Sequence, residues 1–312
     1  MNILYLSKRF FYFLFHSPSV ILMRVLEKDW FPISDEAYIK LWYKFNTGNK
    51  LDLANPKSYN EKLQWLKLYD HQPIYTTMVD KFAVKQYVSD KIGSDYVIPL
   101  LGVWDKPEDI DFEKLPKQFV LKVTHGGGNS GVVVCKDKTA LDKKAVVTKL
   151  SRCMKTDGSI GNKEWPYKNV PHRVIAEEYM EDNTYHELRD YKFFCFDGEP
   201  KIMFIASGRG SLPEPYFDFF DMDFNHLNIK SAHPVSPAEK LPTKPESWEE
   251  MKKVAAKLSE GLPHVRLDLY EVNGKVYFGE YTFYHWGGCG SFEPEEWLNK
   301  LGDWIKLPNK QK

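Results

Sequence analysis

The chain has 312 residues, with 43 Lys and Arg against 43 Asp and Glu, so its formal net charge is zero. That balance argues against a general nucleic-acid binder, which needs surplus cations to displace counterions. Hydrophobic residues at 43% and aromatics at 15% argue against disorder and allow a large core in roughly two domains.

Residues 1–33 form an aromatic and basic segment, with Phe-Phe-Tyr-Phe-Leu-Phe at 10–15 beside Lys8 and Arg9. Its apolar run is short and no small-residue cleavage site follows, so it does not read as a signal peptide. It fits either a helix lying on a membrane surface, aromatics in the interface and cations on headgroups, or a helix packed on the body of the protein. No run of about 18 apolar residues exists anywhere to cross a membrane.

A helical region is expected over 34–118. A helix at 34–46 ends at Gly48, and Asn55-Pro56 turns the chain. Ser58 with Glu61 makes a capping box for the next helix, and a third runs over 75–91 to Gly93. Strands are expected at 97–103, 119–124 and 132–135, with a Gly-rich turn at 126–131. A helix at 139–154 and a strand at 174–180 follow, so 119–180 forms one small unit. In the remaining unit, 181–312, strands at 191–196 and 202–207 flank Asp197-Gly198. Residues 234–245 are a Pro-rich loop. A helix at 247–260 carries a second capping box, Ser247 with Glu250. Strands at 265–270 and 276–281 flank Asn273-Gly274, the strongest short hairpin signal, and a helix near 294–305 closes the pattern. The class is α+β, with antiparallel sheets after a helical N-terminal region. Neither a Rossmann fingerprint nor a Walker A motif is present.

Four constellations carry chemistry. Lys122 leads from a strand into a loop with Gly126, Gly127, Gly128, Ser130 and Gly131, where backbone N–H groups form an anion nest beside a point charge; the alternative is a flexible hairpin loop. Arg266-Leu-Asp268 and Glu280-Tyr-Thr282 lie on neighbouring strands. Asp268 and Glu280 suit Mg²⁺, which takes one or two carboxylates plus phosphate oxygens; the alternative is a cross-strand charge ladder. Glu177, Glu178 and Tyr179 end a strand whose edge can meet a purine, or are a surface acidic pair. Lys192, after Asp190, reaches a phosphate or pairs with Asp190. Asp221-Met-Asp223 has the form of a sugar-nucleotide metal motif, but no βαβ pattern precedes it. Cys135, Cys153, Cys195 and Cys289 lack any paired spacing, which points to a reducing cytosol.

In order, these elements resemble the ATP-grasp fold, two α+β subdomains that clasp MgATP. Several phrases, Asn55-Pro-Lys-Ser-Tyr-Asn-Glu-Lys62, Asp80-Lys81-Phe-Ala-Val, Ile175-Ala-Glu-Glu-Tyr179, Asp190-Tyr-Lys-Phe-Phe-Cys-Phe196 and Gly279-Glu-Tyr-Thr-Phe283, resemble the TupA-like ATP-grasp family of cell-surface polysaccharide and teichuronopeptide synthesis. The resemblance covers about residues 35–290. It implies an ATP-dependent carboxylate–amine ligase that works through an acyl phosphate, joining an amine or amino acid to a uronic-acid carboxylate of a bacterial glycan. Alternatives are a glycosyltransferase, a sugar kinase or a non-catalytic scaffold. The implied cofactors are ATP and two Mg²⁺ ions on Asp268, Glu280 and Thr282. Lys81 and Lys122 would hold phosphates, and Arg266, Arg209 and Lys192 would act on the transferring oxygens. Glu187 or Asp190 would hold the ribose, His125 would act as a base or loop cap, and Gly287 and Gly288 would offer N–H groups to an oxyanion. Tyr216, Phe217, Trp165 and Trp286 would stack on sugar rings or belong to the core. Thr282 departs from the usual Asn, and Thr124 with three glycines departs from Asn and Gly-Ser-Gly. The implied location is the cytoplasm, at the inner face of the cell membrane or beside polysaccharide assembly machinery.

Overall fold

The computed structural model describes residues 33–126, 131–156, 161–208 and 214–310. The N-terminal aromatic segment, apart from residue 33, therefore lies outside the described residues. Helix α1 (Asp35–Thr47) starts where the Ser34 side chain accepts the Ala37 N–H at 3.2 Å and stops at Gly48 in the left-handed region, φ 76°. Helix α2 (Tyr59–Tyr69) has the expected capping box between Ser58 and Glu61.

The single helix expected over 75–91 is two, α3 (Ile74–Val79) and α4 (Ala83–Ile92). Asp80 breaks it. Its carboxylate accepts the Phe82 N–H at 2.8 Å and pairs with Arg173 at 3.0 Å, while the Lys81 N–H donates to the Thr124 carbonyl. The break takes Lys81 off the helix and ties it to the Gly-rich turn.

A four-stranded antiparallel sheet follows, from β1 (Leu100–Trp104), β2 (Phe119–Val123), β3 (Val132–Cys135) and β4 (Val174–Glu178) in the order β1-β4-β2-β3. Strand β1 precedes residue 118 yet pairs with β4. Helix α5 (Lys143–Cys153), capped by Asp142, buries Val146 and Leu150 in a core with Phe119, Leu121, Val174 and Ala176.

The second sheet has six antiparallel strands, β5 (Asp190–Phe196), β6 (Glu199–Ser207), β7 (Tyr216–Asp221), β8 (His226–Leu227), β9 (His264–Val272) and β10 (Lys275–Thr282), in the order β10-β9-β5-β6-β7-β8. Helix α6 (Trp248–Ser259) covers β5, β6 and β9, and α7 (Glu296–Trp304) packs on α2. Strand β5 is buried along its whole length: Asp190 and Lys192 face the cleft between the sheets, and Phe193 to Phe196 continue as an uninterrupted apolar run. Each Phe buried there contributes about 1.5–3 kcal/mol.

One local expectation fails. No capping box forms at Ser247; its N–H and hydroxyl both donate to Glu271 Oε1, at 2.8 and 2.5 Å. The aromatic stretch from Tyr216 forms strand β7 and ends in a turn. Asp221 organises that turn, accepting the Asp223 and Asn225 N–H groups at 3.0 and 2.8 Å, so Asp221-Met-Asp223 is turn chemistry.

A candidate nucleotide and metal site between the two sheets

A cavity of about 510 Å³ lies between the sheets. Lys122, Val120 and Glu177 approach it from the small sheet, and Lys192, Asp268 and Glu280 from the large one. Lys81 and Lys85 reach it from the break and from α4, and Val97, Ile98, Met180, Leu188 and Phe278 supply apolar wall.

The carboxylate pair depends on a β-bulge. From the Asn273-Gly274 turn the register runs Val272 to Lys275 and Leu269 to Phe278, then shifts so that Glu280, not Gly279, faces Asp268. An uninterrupted hairpin would set Glu280 opposite Leu267, on the other face of the sheet. A Cβ on Gly279 would lie 2.8 Å from the Asp268 carbonyl oxygen and 3.0 Å from the Tyr270 ring, so glycine permits the close approach.

Asp268 is held from two sides. Arg266 donates Nε to Oδ1 at 2.7 Å and Nη2 to Oδ2 at 2.8 Å, and Lys192 donates to Oδ2. Burial penalises the Asp268 charge, but Arg266 and Lys192 outweigh it and hold the carboxyl below the usual range. Burial also pulls Lys192 down, with Asp268 opposing. Arg266 reaches the Thr282 hydroxyl at 2.9 Å, Glu280 at 3.5 Å and His285 Nδ1 at 2.7 Å. Thr282 thus serves as an acceptor for Arg266, and its hydroxyl is already engaged.

Opposite stand the lysines. Glu177 lies between Lys85 and Lys122, each 2.5 Å away, and Lys85 also donates to the Ile98 carbonyl at 2.7 Å. Burial raises the Glu177 pKa, and the two ammonium groups more than reverse that. Lys81 donates to the Gly126 carbonyl and lies 3.9 Å from Glu280; burial lowers its pKa.

The remaining expected residues divide. Glu178, Tyr179, Glu187 and Asp190 line the cavity. The Tyr179 hydroxyl donates to Glu181 at 2.6 Å, and Glu187 accepts from Arg189 and from the Gly208 N–H, both at 2.9 Å. Asp190 is buried, 3.5 Å from Lys192. His125 does not line the cavity; it stacks on His172 at 3.5 Å and donates Nε2–H to the Cys153 carbonyl at 3.3 Å, the posture of a loop cap. The Gly287 N–H is taken by the Tyr284 carbonyl at 2.8 Å, against the expectation of an open oxyanion donor. Phe217 is core, and Trp165 stacks with Tyr75 and His71. Gly127, Gly128, Ser130 and Arg209 lie outside the described residues.

Sequence reasoning missed Lys85, His285 and the bulge. Lys85 follows Lys81 by four residues, a signal available at helical spacing. His285 carried none.

The residues present fit MgATP. Among the described residues no cluster of three or more His, Cys, Asp or Glu could enclose a metal ion. Two carboxylates facing several ammonium groups form a donor set that phosphate oxygens and water complete, which is how Mg²⁺ is usually bound. Two antiparallel sheets with such a cleft between them define an ATP-grasp architecture. The sequence profile of the TupA-like ATP-grasp family matches residues 61–306, and the chain belongs to that family, one of ATP-dependent enzymes. Among curated proteins no sequence matches.

Solved structures resemble it distantly. The D-alanine–D-alanine ligase of Helicobacter pylori is 14% identical, with 81% of this chain and 71% of that chain covered and a TM-score of 0.46. The D-alanine–D-alanine ligase of Bacillus anthracis is 17% identical, covering 73% and 60%, TM-score 0.39. A RimK domain ATP-grasp protein of Sphaerobacter thermophilus is 11% identical, covering 76% and 70%, TM-score 0.41. The chain thus spans 60% of the length of the Bacillus anthracis ligase.

Proposed function

We propose that the chain is an ATP-dependent carboxylate–amine ligase, acting on a uronic-acid carboxylate of a bacterial surface glycan or its precursor and an amine or amino acid. The observation that carries the reading is the bulge-set pairing of Asp268 with Glu280 across a cavity from Lys81, Lys85 and Lys122. Asp268 and Glu280 would hold Mg²⁺, up to two ions, while Thr282 supports Arg266 and would meet the metal through water. ATP supplies the phosphoryl group that activates the carboxylate, and such transfer needs positioning and charge neutralisation rather than a nucleophilic side chain.

Lys81 and Lys122 bind the α- and β-phosphates, with Lys85 and Glu177 fixing where Lys122 points. Arg266, Lys192 and Arg209 stabilise the transferring oxygens. The backbone at Glu177 to Tyr179 meets the purine. Glu187 is the better ribose acid, because its side chain is 19% exposed where that of Asp190 is 1%. The four-stranded sheet with α5 acts as the lid over the six-stranded base. The proposed location is the cytoplasm, at the inner membrane face; among the described residues no helix is long and apolar enough to cross a membrane.

Calorimetry with MgATP, UDP-sugars and GDP-sugars tests this. Binding of MgATP that is lost in Asp268→Asn, followed by ADP release dependent on both a uronate and an amine, is expected. Preference for a sugar nucleotide, or ADP release that needs only a sugar hydroxyl, would overturn it in favour of a glycosyltransferase or a kinase.

A further inference from the structure

Trp286 is built to be exposed. Its neighbours His285, Gly287 and Gly288 are buried, yet Trp286 is 46% exposed. Its backbone is left-handed, φ 52° and ψ 33°, a conformation that strains a bulky residue. Strain of this kind persists only where the surroundings over-determine it. They do so here: the Gly287 carbonyl accepts from Gln64 at 3.0 Å and Lys67 at 2.9 Å, and the Gly288 carbonyl accepts from Gln64 at 2.8 Å. A Cβ on Gly290 would lie 3.2 Å from the indole, so one side of the ring rests on bare backbone.

His233 stands beside it, paired in turn with Glu214. The His233 ring lies 6.1 Å from the Trp286 ring, centroid to centroid, and His233 Nδ1 is 3.1 Å from Glu214 Oε1. Phe217 backs His233 at 4.3 Å. On the other side, His285 grips Arg266, which holds Asp268. Trp286 thus adjoins, through His285 and Arg266, the carboxylate centre, yet Trp286, Glu214 and His233 do not line the cavity assigned to nucleotide.

We propose that Trp286, with Glu214 and His233, is a subsite for a pyranose ring of the acceptor, the ring's C–H face on the indole and its hydroxyls on the carboxylate and imidazole. This rests on the ligase reading and names the substrate class of that site. The chemistry discriminates among ligands. An indole face is electron-rich and favours polarised C–H groups. Glu214 and His233 accept and donate to hydroxyls. Charge sets the direction: Glu214 repels a carboxylate and Arg266 attracts one, so a uronate binds with its carboxylate toward Arg266 and its hydroxyl edge toward Glu214.

Saturation-transfer NMR on the whole chain tests this, with glucuronate, galacturonate and the methyl glycoside of glucose as probes. Transfer onto ring C–H protons of a uronate is expected, reduced at least about tenfold in apparent affinity by Trp286→Ala, less by Trp286→Phe, with Glu214→Gln also weakening it. MgATP binding by calorimetry on the same samples should be unchanged in all three and reports that the fold is intact. Wild-type protein that binds MgATP but shows no transfer to any of the sugars, or equal transfer in Trp286→Ala, would overturn the subsite alone. Loss of MgATP binding in the wild type would instead overturn the ligase reading.

Discussion

Glu280 stands across from Asp268 because Gly279 is an extra residue in β10. The two carboxylates share one face of the sheet through that insertion, since the side-chain period of a strand is two. Gly279→Ala should therefore weaken MgATP binding at least about tenfold and cost about 1–3 kcal/mol of stability, as the new Cβ meets the Asp268 carbonyl oxygen. Deleting Gly279 removes the extra residue and should leave Glu280 opposite Asp268 in a regular ladder, so that variant should keep MgATP binding. Calorimetry with a thermal melt on each variant separates register from steric strain, and loss of MgATP binding in a deletion variant that still folds would dismiss the register as the aligning device.

Glu177 bridges Lys85 and Lys122 at 2.5 Å each, so one buried carboxylate sets the direction of two ammonium groups. Removing one member of a buried pair leaves uncompensated charge and costs about 3–5 kcal/mol. Glu177→Gln should lower the melting temperature and raise the nucleotide KM. Lys122→Ala should raise the nucleotide KM with a smaller stability loss, because Lys85 still neutralises Glu177. Steady-state kinetics against ATP checks both. A Lys122→Ala enzyme with wild-type KM would make Lys122 a structural counter-ion.

His264 is buried and neutral, donating Nδ1–H to the Cys195 carbonyl and accepting from the Tyr59 hydroxyl, both at 2.9 Å. Burial pushes its pKa down to about 3. The unfolded chain takes up a proton near its ordinary value while the folded chain does not, so this stability is full above about pH 6.5 and is lost as pH falls toward 3. By pH 5 the loss from this group is about 2 kcal/mol. His285, also depressed by burial, adds in the same direction. Urea midpoints from pH 7 to pH 4 should fall in the wild type and fall less steeply in His264→Asn. Parallel slopes would remove His264 as the cause.

Much of the fold was legible because its signals are local. Ser58 with Glu61 and the Asn273-Gly274 turn each specify their element within a few residues. The failures share a cause in distant partners. Asp80 breaks a helix-like run through Arg173, 93 residues away, and Ser247 gives up its cap for Glu271, 24 residues away. In the site, residue types identified Arg266, Asp268, Glu280 and Lys122, since carboxylates and lysines at these spacings suit phosphate and Mg²⁺. The register that aligns them was not legible, because a bulge at a glycine looks like any other glycine in a strand. His285 acts through Arg266, and nothing in its neighbouring sequence announces that contact.

The turn at 285–288 ties the N-terminal helical region to the proposed sugar subsite. Gln64 on α2 donates to both the Gly287 and Gly288 carbonyls, and Lys67 to Gly287. Burial brings the Lys67 pKa down to about 8. The folded chain then binds fewer protons than the unfolded chain between about pH 8 and 10.5, so Lys67's contribution to stability rises with pH across that window. Below pH 8 its buried ammonium is a cost, offset by its bonds to Gly287 and Gln64. Gln64→Ala strips a buried carbonyl of its side-chain donor, a loss of about 1–3 kcal/mol. Because the turn carries His285 and Trp286, this variant should raise the KM for the carboxylate substrate while leaving the MgATP Kd unchanged. Gln64→Glu, whose carboxylate cannot donate to the two carbonyls, should behave like Gln64→Ala. An equal weakening of MgATP and carboxylate would mean that Gln64 merely stabilises the fold, and no change in either would separate α2 from the site.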